Sequence, residues 1–186
     1  LVNFHPVTTD THNTKNYIKN LLIAVKRSKM QAIFTYPNAD KTNEIIIKEI
    51  KRFVKKNSKK YIFIKNSGAE LYSNLLRNCY AMLGNSSSGI VEAASFSLPV
   101  INIGNRQKGK VFPKNILQVS YKSNDILNSI NKISNKSYRK RLKNLKNPYE
   151  KNISPKKIAL DICKIKIGKK TTIKKFIDLW LKKISS

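Results

Sequence analysis

The chain has 186 residues, with 38 Lys and Arg against 10 Asp and Glu, a formal charge of +28, and can bury one sizeable core. No run approaches the roughly 20 apolar residues needed to cross a bilayer, and Cys79 and Cys163 lack metal-ligand or disulfide spacing, so both thiols are expected buried and reduced, with no metal site. The charge would ordinarily suggest nucleic acid, but Lys dominates Arg alongside abundant Ile and Asn, and no helix-turn-helix, zinc-finger or aromatic-basic RNA motif accompanies it; biased composition accounts for the excess, which implies salt-sensitive polyanion sticking rather than a specific nucleic-acid partner.

Short apolar runs alternate with helical patterns along the chain, the mark of βα units and a parallel sheet. The sequence opens inside a strand, 1–5, without an initiator Met or signal-peptide pattern, and is read as a soluble piece of a longer cytoplasmic protein. His5 stands at that strand's end before Pro6. An imidazole there can hydrogen-bond a phosphate or serve as acid to a leaving group, or it can be purely structural. A helix over 13–29 leads to a strand at 31–36, which ends at Pro37–Asn38. The next helix, 41–57, repeats Ile46, Ile50, Phe53 and Val54 at helical spacing, a core-facing stripe. A strand at 61–65, a loop through Ser67 and a helix over 69–77 follow.

The densest chemistry lies between 79 and 115. A buried strand at 79–84 ends at Gly84, three hydroxyls follow at Ser86, Ser87 and Ser88, and Gly89 leads into a helix over 87–97. Free N–H groups and the positive end of a helix dipole attract phosphate. Glu92, about one and a half turns in, could accept hydrogen bonds from the two hydroxyls of a ribose; a Ser N-cap beside a solvated Glu is the plain alternative. A strand at 99–103 ends at Gly104 and opens onto a basic loop, 105–115, carrying Arg106. Neighbouring parallel strands would place both loops at the carboxyl edge of one sheet, where open α/β sheets bind ligands, and an Arg fork beside hydroxyls suits a diphosphate. A strand at 116–119 and a helix over 123–134 complete the pattern. Beyond 136 everything reads as helical: a basic stretch Tyr138–Lys146, a helix opened by Ser154–Pro155 with Ile158, Ile162 and Ile165 on one face, and a last one from Thr172 through Phe176, Leu179 and Trp180. The divisions are 1–150, a Rossmann-like nucleotide-binding domain, and 151–186, carboxyl-terminal helices.

The texts GNSSSGIVEA (84–93) and LPVINIGNRQKGK (98–110), with Phe4–Asp10, Phe34–Asp40, Asn147–Tyr149 and Lys174–Asp178, resemble the hydrolysing UDP-N-acetylglucosamine 2-epimerases of sialic and related nonulosonic acid pathways. The resemblance implies one half of a two-domain, glycosyltransferase-B-like architecture: the carboxyl-terminal half, whose last helices return toward a missing amino-terminal half. It implies a UDP-sugar substrate, no cofactor, no membrane and a homo-oligomer at full length. UDP would be eliminated from UDP-N-acetylglucosamine and water added to the resulting glycal, giving N-acetylmannosamine; a 2,4-diacetamido-6-deoxy sugar is the variant. Matched residue by residue, His5 is catalytic or touches phosphate, Asn38 contacts the nucleotide, and Ser67 lies against the uracil through backbone groups, a structural loop residue being its plain alternative. Ser86 and Ser87 hold the diphosphate, Glu92 the ribose and Arg106 the nucleotide, while Asn85 and Ser88 form the turn. The family's principal catalytic carboxylates lie in the other half, so this chain alone is expected to bind nucleotide weakly and to catalyse nothing. Two departures stand out: Glu150–Ser154 replaces a glycine-rich stretch after Asn147–Tyr149, and Lys110 stands where Arg is common. A UDP-sugar glycosyltransferase of the same architecture and a noncatalytic fragment are the alternatives.

Overall fold

The computed structural model describes residues 1–150 and 154–166. Six strands form one all-parallel sheet: β1 (Val2–Asn3), β2 (Ala32–Thr35), β3 (Tyr61–Ile64), β4 (Met82–Gly84), β5 (Val100–Ile103) and β6 (Ile116–Val119), in the order β3-β2-β1-β4-β5-β6. This is the doubly wound Rossmann order, with its switch point between β1 and β4. The central strands are continuous apolar runs because helices cover both faces; all four residues of β5 are buried.

On one face, α1 (Thr14–Ser28) packs against both α2 (Asn43–Lys55) and α5 (Ser123–Ile133). Ile18 and Leu21 from α1, Ile46 and Ile50 from α2, and Ile126 and Ile130 from α5 interlock there over Phe34 and Ile101. Each such side chain contributes roughly 1.5–3 kcal/mol of transfer free energy. The other face carries α3 (Gly68–Asn78) through Leu75 and Leu76, with Met82, Ala93, Leu98 and Val100. The expected helix over 87–97 divides into a short α4 (Ser87–Val91) and a 3-10 turn, Ala93–Phe96. Ser97 lies in the left-handed region (φ 50°) and Leu98 N–H returns to Ala93 C=O. The helix tightens there because buried Leu98 and Pro99 must enter β5 at once.

The first strand pairs through Val2 and Asn3, with Leu83 and Gly84 of β4 on one side and, at Val2, with Phe34 of β2 on the other. Gly84 has φ +140°, and a Cβ at that position would fall 1.9 Å from the Asn3 carbonyl oxygen. Only glycine lets β1 and β4 approach so closely where the two loops begin.

Chain contacts define two compact units, Leu1–Glu150 and Lys151–Ser186. In the first, the basic stretch expected at 138–146 is helical only over α6 (Lys136–Lys140) and continues as turns. In the second, α7 (Pro155–Cys163) begins at a Ser154 N-cap with Pro at its first turn, and Ile158, Ile162 and Ile165 are exposed. The helix expected from Thr172 through Trp180 lies outside the described residues. The thiols depart from expectation: Cys79 is half-buried and Cys163 exposed. No described helix is long and apolar enough to cross a membrane.

Candidate functional site

At the switch point the loops after β1 and β4 are tied by one side chain. The buried Asn85 amide donates from Nδ2 to the His5 carbonyl (2.9 Å) and accepts the His5 N–H at Oδ1 (2.7 Å). It thus replaces a peptide unit and extends the pairing of β1 with β4 past Gly84. Its own backbone is equally engaged: Asn85 N–H donates to Asn3 C=O, and Asn85 C=O accepts both Arg106 Nη1 (3.2 Å) and Gln107 Nε2 (2.8 Å). Asn85 therefore joins the ends of β1, β4 and β5. Its expected role as a plain turn former understates this; the contact partner lies 80 residues away in the chain, which local pattern does not reveal.

His5 is 5 % exposed. Its Nδ1 accepts the backbone N–H of Asn38 (2.9 Å), so the neutral ring carries its proton on Nε2. Burial, reinforced by the Arg106 charge and opposed by Asp40, lowers its pKa from 6.5 to about 4. At neutral pH it is an uncharged Nε2–H donor fixed in orientation, not an imidazolium. Asn38 reaches His5 through its backbone; its side chain is exposed.

His5, Asn38, Ser67 and Ser86 line one cleft of about 290 Å³, together with Asn3, Thr35, Tyr36, Tyr72 and Ser88. Tyr36 stacks on Phe63 at 4.9 Å at its β2–β3 side. Ser86 is the N-cap of α4, its Oγ accepting the Ser88 N–H (3.3 Å). Ser87 is exposed on the first turn, and Ser67 is half-buried at the start of α3 without a side-chain cap. Arg106 is drawn to the site through Asn85, and Glu92 through Ser88, whose Oγ donates to Glu92 Oε2 (2.8 Å). Thus all seven expected site residues lie at one sheet edge, four within the cleft itself. A larger cleft, about 490 Å³, opens at the opposite edge among Leu1, Ala32, Ile62, Ala81 and Ile133. Its apolar lining gathers no convergent polar chemistry, so its volume does not make it the site.

Two further features were not legible in the sequence. Asn147 Nδ2 donates to Val91 C=O (2.7 Å) and Ser95 Oγ (2.8 Å), and Ser95 Oγ donates to Glu150 Oε2 (3.0 Å). Tyr149 OH donates to Val111 C=O (3.0 Å). The segment 147–150 thus buttresses α4 and the 105–115 loop, with Glu150 contributing a side chain where the resembled family has glycine. On the other flank Asp10 accepts from Tyr17 OH and from Asn13 Nδ2 (2.8 Å), and these bonds, Tyr17's foremost, hold its carboxyl below the usual range. No group of three or more His, Cys, Asp or Glu that could hold a metal occurs among the described residues.

Residues 1–162 match the family model described as UDP-N-acetylglucosamine 2-epimerase. The chain is 38% identical over 181 residues to the GDP/UDP-N,N'-diacetylbacillosamine 2-epimerase (hydrolyzing) of Campylobacter jejuni, covering 96% of this chain and 46% of that protein. It is 32% identical over 184 residues to polysialic acid biosynthesis protein P7 of Escherichia coli, with the same two coverages. The chain spans about half the length of the curated relatives it matches. Among solved structures, the Methanocaldococcus jannaschii UDP-GlcNAc 2-epimerase in complex with UDP-GlcNAc and UDP superposes with a TM-score of 0.66 at 19% identity, over 87% of this chain and 44% of that one, a likeness of fold.

Proposed function

The chain belongs to the UDP-N-acetylglucosamine 2-epimerase family, and on that footing we propose that it is the UDP-gripping, carboxyl-terminal half of a hydrolysing, cytoplasmic enzyme acting on a UDP-linked 2-acetamido sugar. The observation that carries this reading is the switch-point cluster: a fixed, uncharged His5 donor, the Ser86 turn and Arg106, all joined through Asn85. Such an edge suits a nucleoside diphosphate. The diphosphate lies against Ser86 and Ser87, the uracil beside Ser67 and Asn38, and the ribose hydroxyls on Glu92.

In the proposed reaction a base removes the C2 proton of the sugar as the C1–oxygen bond breaks, releasing UDP and leaving a 2-acetamidoglycal. Water then adds across the double bond, hydroxyl to C1 and proton to C2 from the opposite face, giving the 2-epimer. This chain's contribution is to stabilise the departing charge. The His5 Nε2–H and the Arg106 guanidinium are preorganised donors for oxygens whose charge grows as the bond breaks, which is where fixed dipoles lower a barrier. The three acids at this edge do not suit the base: Asp10 is bonded to Tyr17 and Asn13, Glu92 to Ser88, and Asp40 stands in the loop that carries Asn38, on the proposed nucleotide side. The base therefore comes from the missing amino-terminal half, and the isolated chain releases no UDP. The sugar is N-acetylglucosamine or its 2,4-diacetamido-6-deoxy analogue, the similarity to the Campylobacter jejuni protein favouring the latter.

Titration calorimetry of this chain with UDP, UMP and uridine tests the reading. Affinity should fall at least tenfold with each phosphate removed, and Arg106→Ala should abolish most of the UDP advantage. Equal affinity for UDP and uridine overturns the diphosphate assignment.

A further inference from the structure

One element of the site has no place in the grip just described. Four side chains from three parts of the fold form a single line of hydrogen bonds ending on the proposed ribose ligand. Asn3 Nδ2, at the end of β1, donates to Tyr72 OH (3.1 Å). Tyr72, on α3, donates to Ser88 Oγ (2.9 Å), and Ser88, on α4, donates to Glu92 Oε2 (2.8 Å). The proton order is forced from the carboxylate end. An ionised carboxylate only accepts, so the single Ser88 hydroxyl proton goes to Glu92. Ser88 must then accept from Tyr72, and Tyr72 must accept from the Asn3 NH₂ group. The same logic fixes the Asn3 amide, which is 7 % exposed, and accounts for its Oδ1 being buried without a partner: the amide is turned to feed the line. Burial pushes the Tyr72 phenol's pKa upward, so it keeps its proton at neutral pH.

We propose that Tyr72 and Ser88 are positioning residues that hold the Glu92 carboxylate for a vicinal diol, so that the site's selection of ribonucleotides over nucleotides lacking those hydroxyls is set from α3 and the end of β1. Glu92 is exposed; without an anchor, a solvated Glu samples several rotamers and must be ordered by the ligand itself. The line occupies one side of Oε2 and leaves Oε1 and the remaining Oε2 lone pair as acceptors, two positions for two hydroxyl donors. A rigid acceptor also penalises a nucleotide that brings no donor, because its desolvated oxygens go unpaired. The sequence hides this: Tyr72 reads as one more half-buried aromatic on an amphipathic helix, and Ser88 as the third hydroxyl of a turn.

This inference rests on the reading of Glu92 as the ribose ligand, and two measurements separate its failure from failure of that reading. The first is the ratio of affinities for UDP and 2′,3′-dideoxy-UDP, by calorimetry on the full chain. The wild type should prefer UDP by roughly 10–100-fold. Tyr72→Phe and Ser88→Ala should each cut that ratio about five- to tenfold, Ser88→Thr should retain it, and Tyr72→Phe should add nothing in a Glu92→Ala background, as in a single coupled unit. The second needs no nucleotide: three-bond NMR couplings across the Glu92 χ1 should report one rotamer in the wild type and averaging in Tyr72→Phe. An unchanged ratio in Tyr72→Phe, additivity with Glu92→Ala, or equal rotamer averaging in wild type and variant each overturns the proposal. A wild type with no preference for UDP, but with a Glu92 rotamer that Tyr72→Phe releases, overturns the ribose reading and leaves the positioning role standing.

Discussion

Lowering the pH should destabilise this fold through His5 in a way one substitution can isolate. The native imidazole, held neutral by burial and by Arg106, titrates at about 4 against 6.5 in an unperturbed His. Between those values the unfolded chain binds the proton and the native one does not, so stability rises with pH across the window. The stabilisation is present in full above the unfolded value and is lost as pH falls toward about 4, where the loss amounts to roughly 3 kcal/mol. Depressed carboxyls such as Asp10 act in the same direction, so the wild-type profile alone does not report His5. His5→Asn supplies the comparison: its carbonyl oxygen can take the place of Nδ1 and accept the Asn38 N–H, and it does not titrate. Urea unfolding at pH 7 and near pH 4 should show the wild type losing more stability than the variant by roughly 3 kcal/mol, about 1–2 M in midpoint at an ordinary slope. Parallel profiles, or a His5 ring that titrates near 6.5 by NMR in the native chain, would refute the neutral, Nε2-protonated assignment.

Gly84→Ala should cost several kcal/mol, because the new methyl would sit 1.9 Å from the Asn3 carbonyl oxygen at a φ of +140°; a wild-type urea midpoint in that variant would contradict the β1–β4 register. Polyanion binding, expected from a formal charge of +28, should be blind to sequence and fall steeply with salt, and a lasting preference for one oligonucleotide over its scrambled version at physiological ionic strength would reinstate a nucleic-acid role.

The strands and their flanking helices were legible because a doubly covered parallel sheet writes continuous apolar runs, and because Ile46, Ile50, Phe53 and Val54 recur with the helical period. The edge placement of His5, Glu92 and Arg106 was legible because a strand end or helix start confines a side chain to one edge whatever the tertiary detail. Less visible were roles that exist only across space. Asn85 looks like any turn residue, yet its amide completes the ladder of a strand 80 residues earlier. Tyr72 gains its role only when α3 brings it beside Ser88. The break at Ala93–Phe96 is likewise tertiary: Ala93 and Ala94, which propagate a helix well, are compelled into a tighter turn by the buried Leu98 that follows.

The way the edge acids are engaged bears on how the chemistry is divided. An elimination base must have a free lone pair aimed at carbon and a proton affinity near that of the working solution. Asp10 accepts from Tyr17 and Asn13, which lowers its proton affinity. Glu92 ends a line of donors and, in the proposed pose, faces a ribose some distance from the sugar's C2. Asp40 is close enough to His5 to raise its pKa, but it does so from the flank carrying Asn38, the proposed nucleotide side. The donors are built in the opposite sense: His5, whose Nε2–H is left to donate, and Arg106, held through Asn85, stand at the same edge, where the proposed diphosphate would leave. An edge rich in fixed donors and poor in free acceptors is suited to one side of an elimination, the leaving-group side. A partner surface with unengaged carboxylates would supply the other, and a family whose members are about twice this length has room for it.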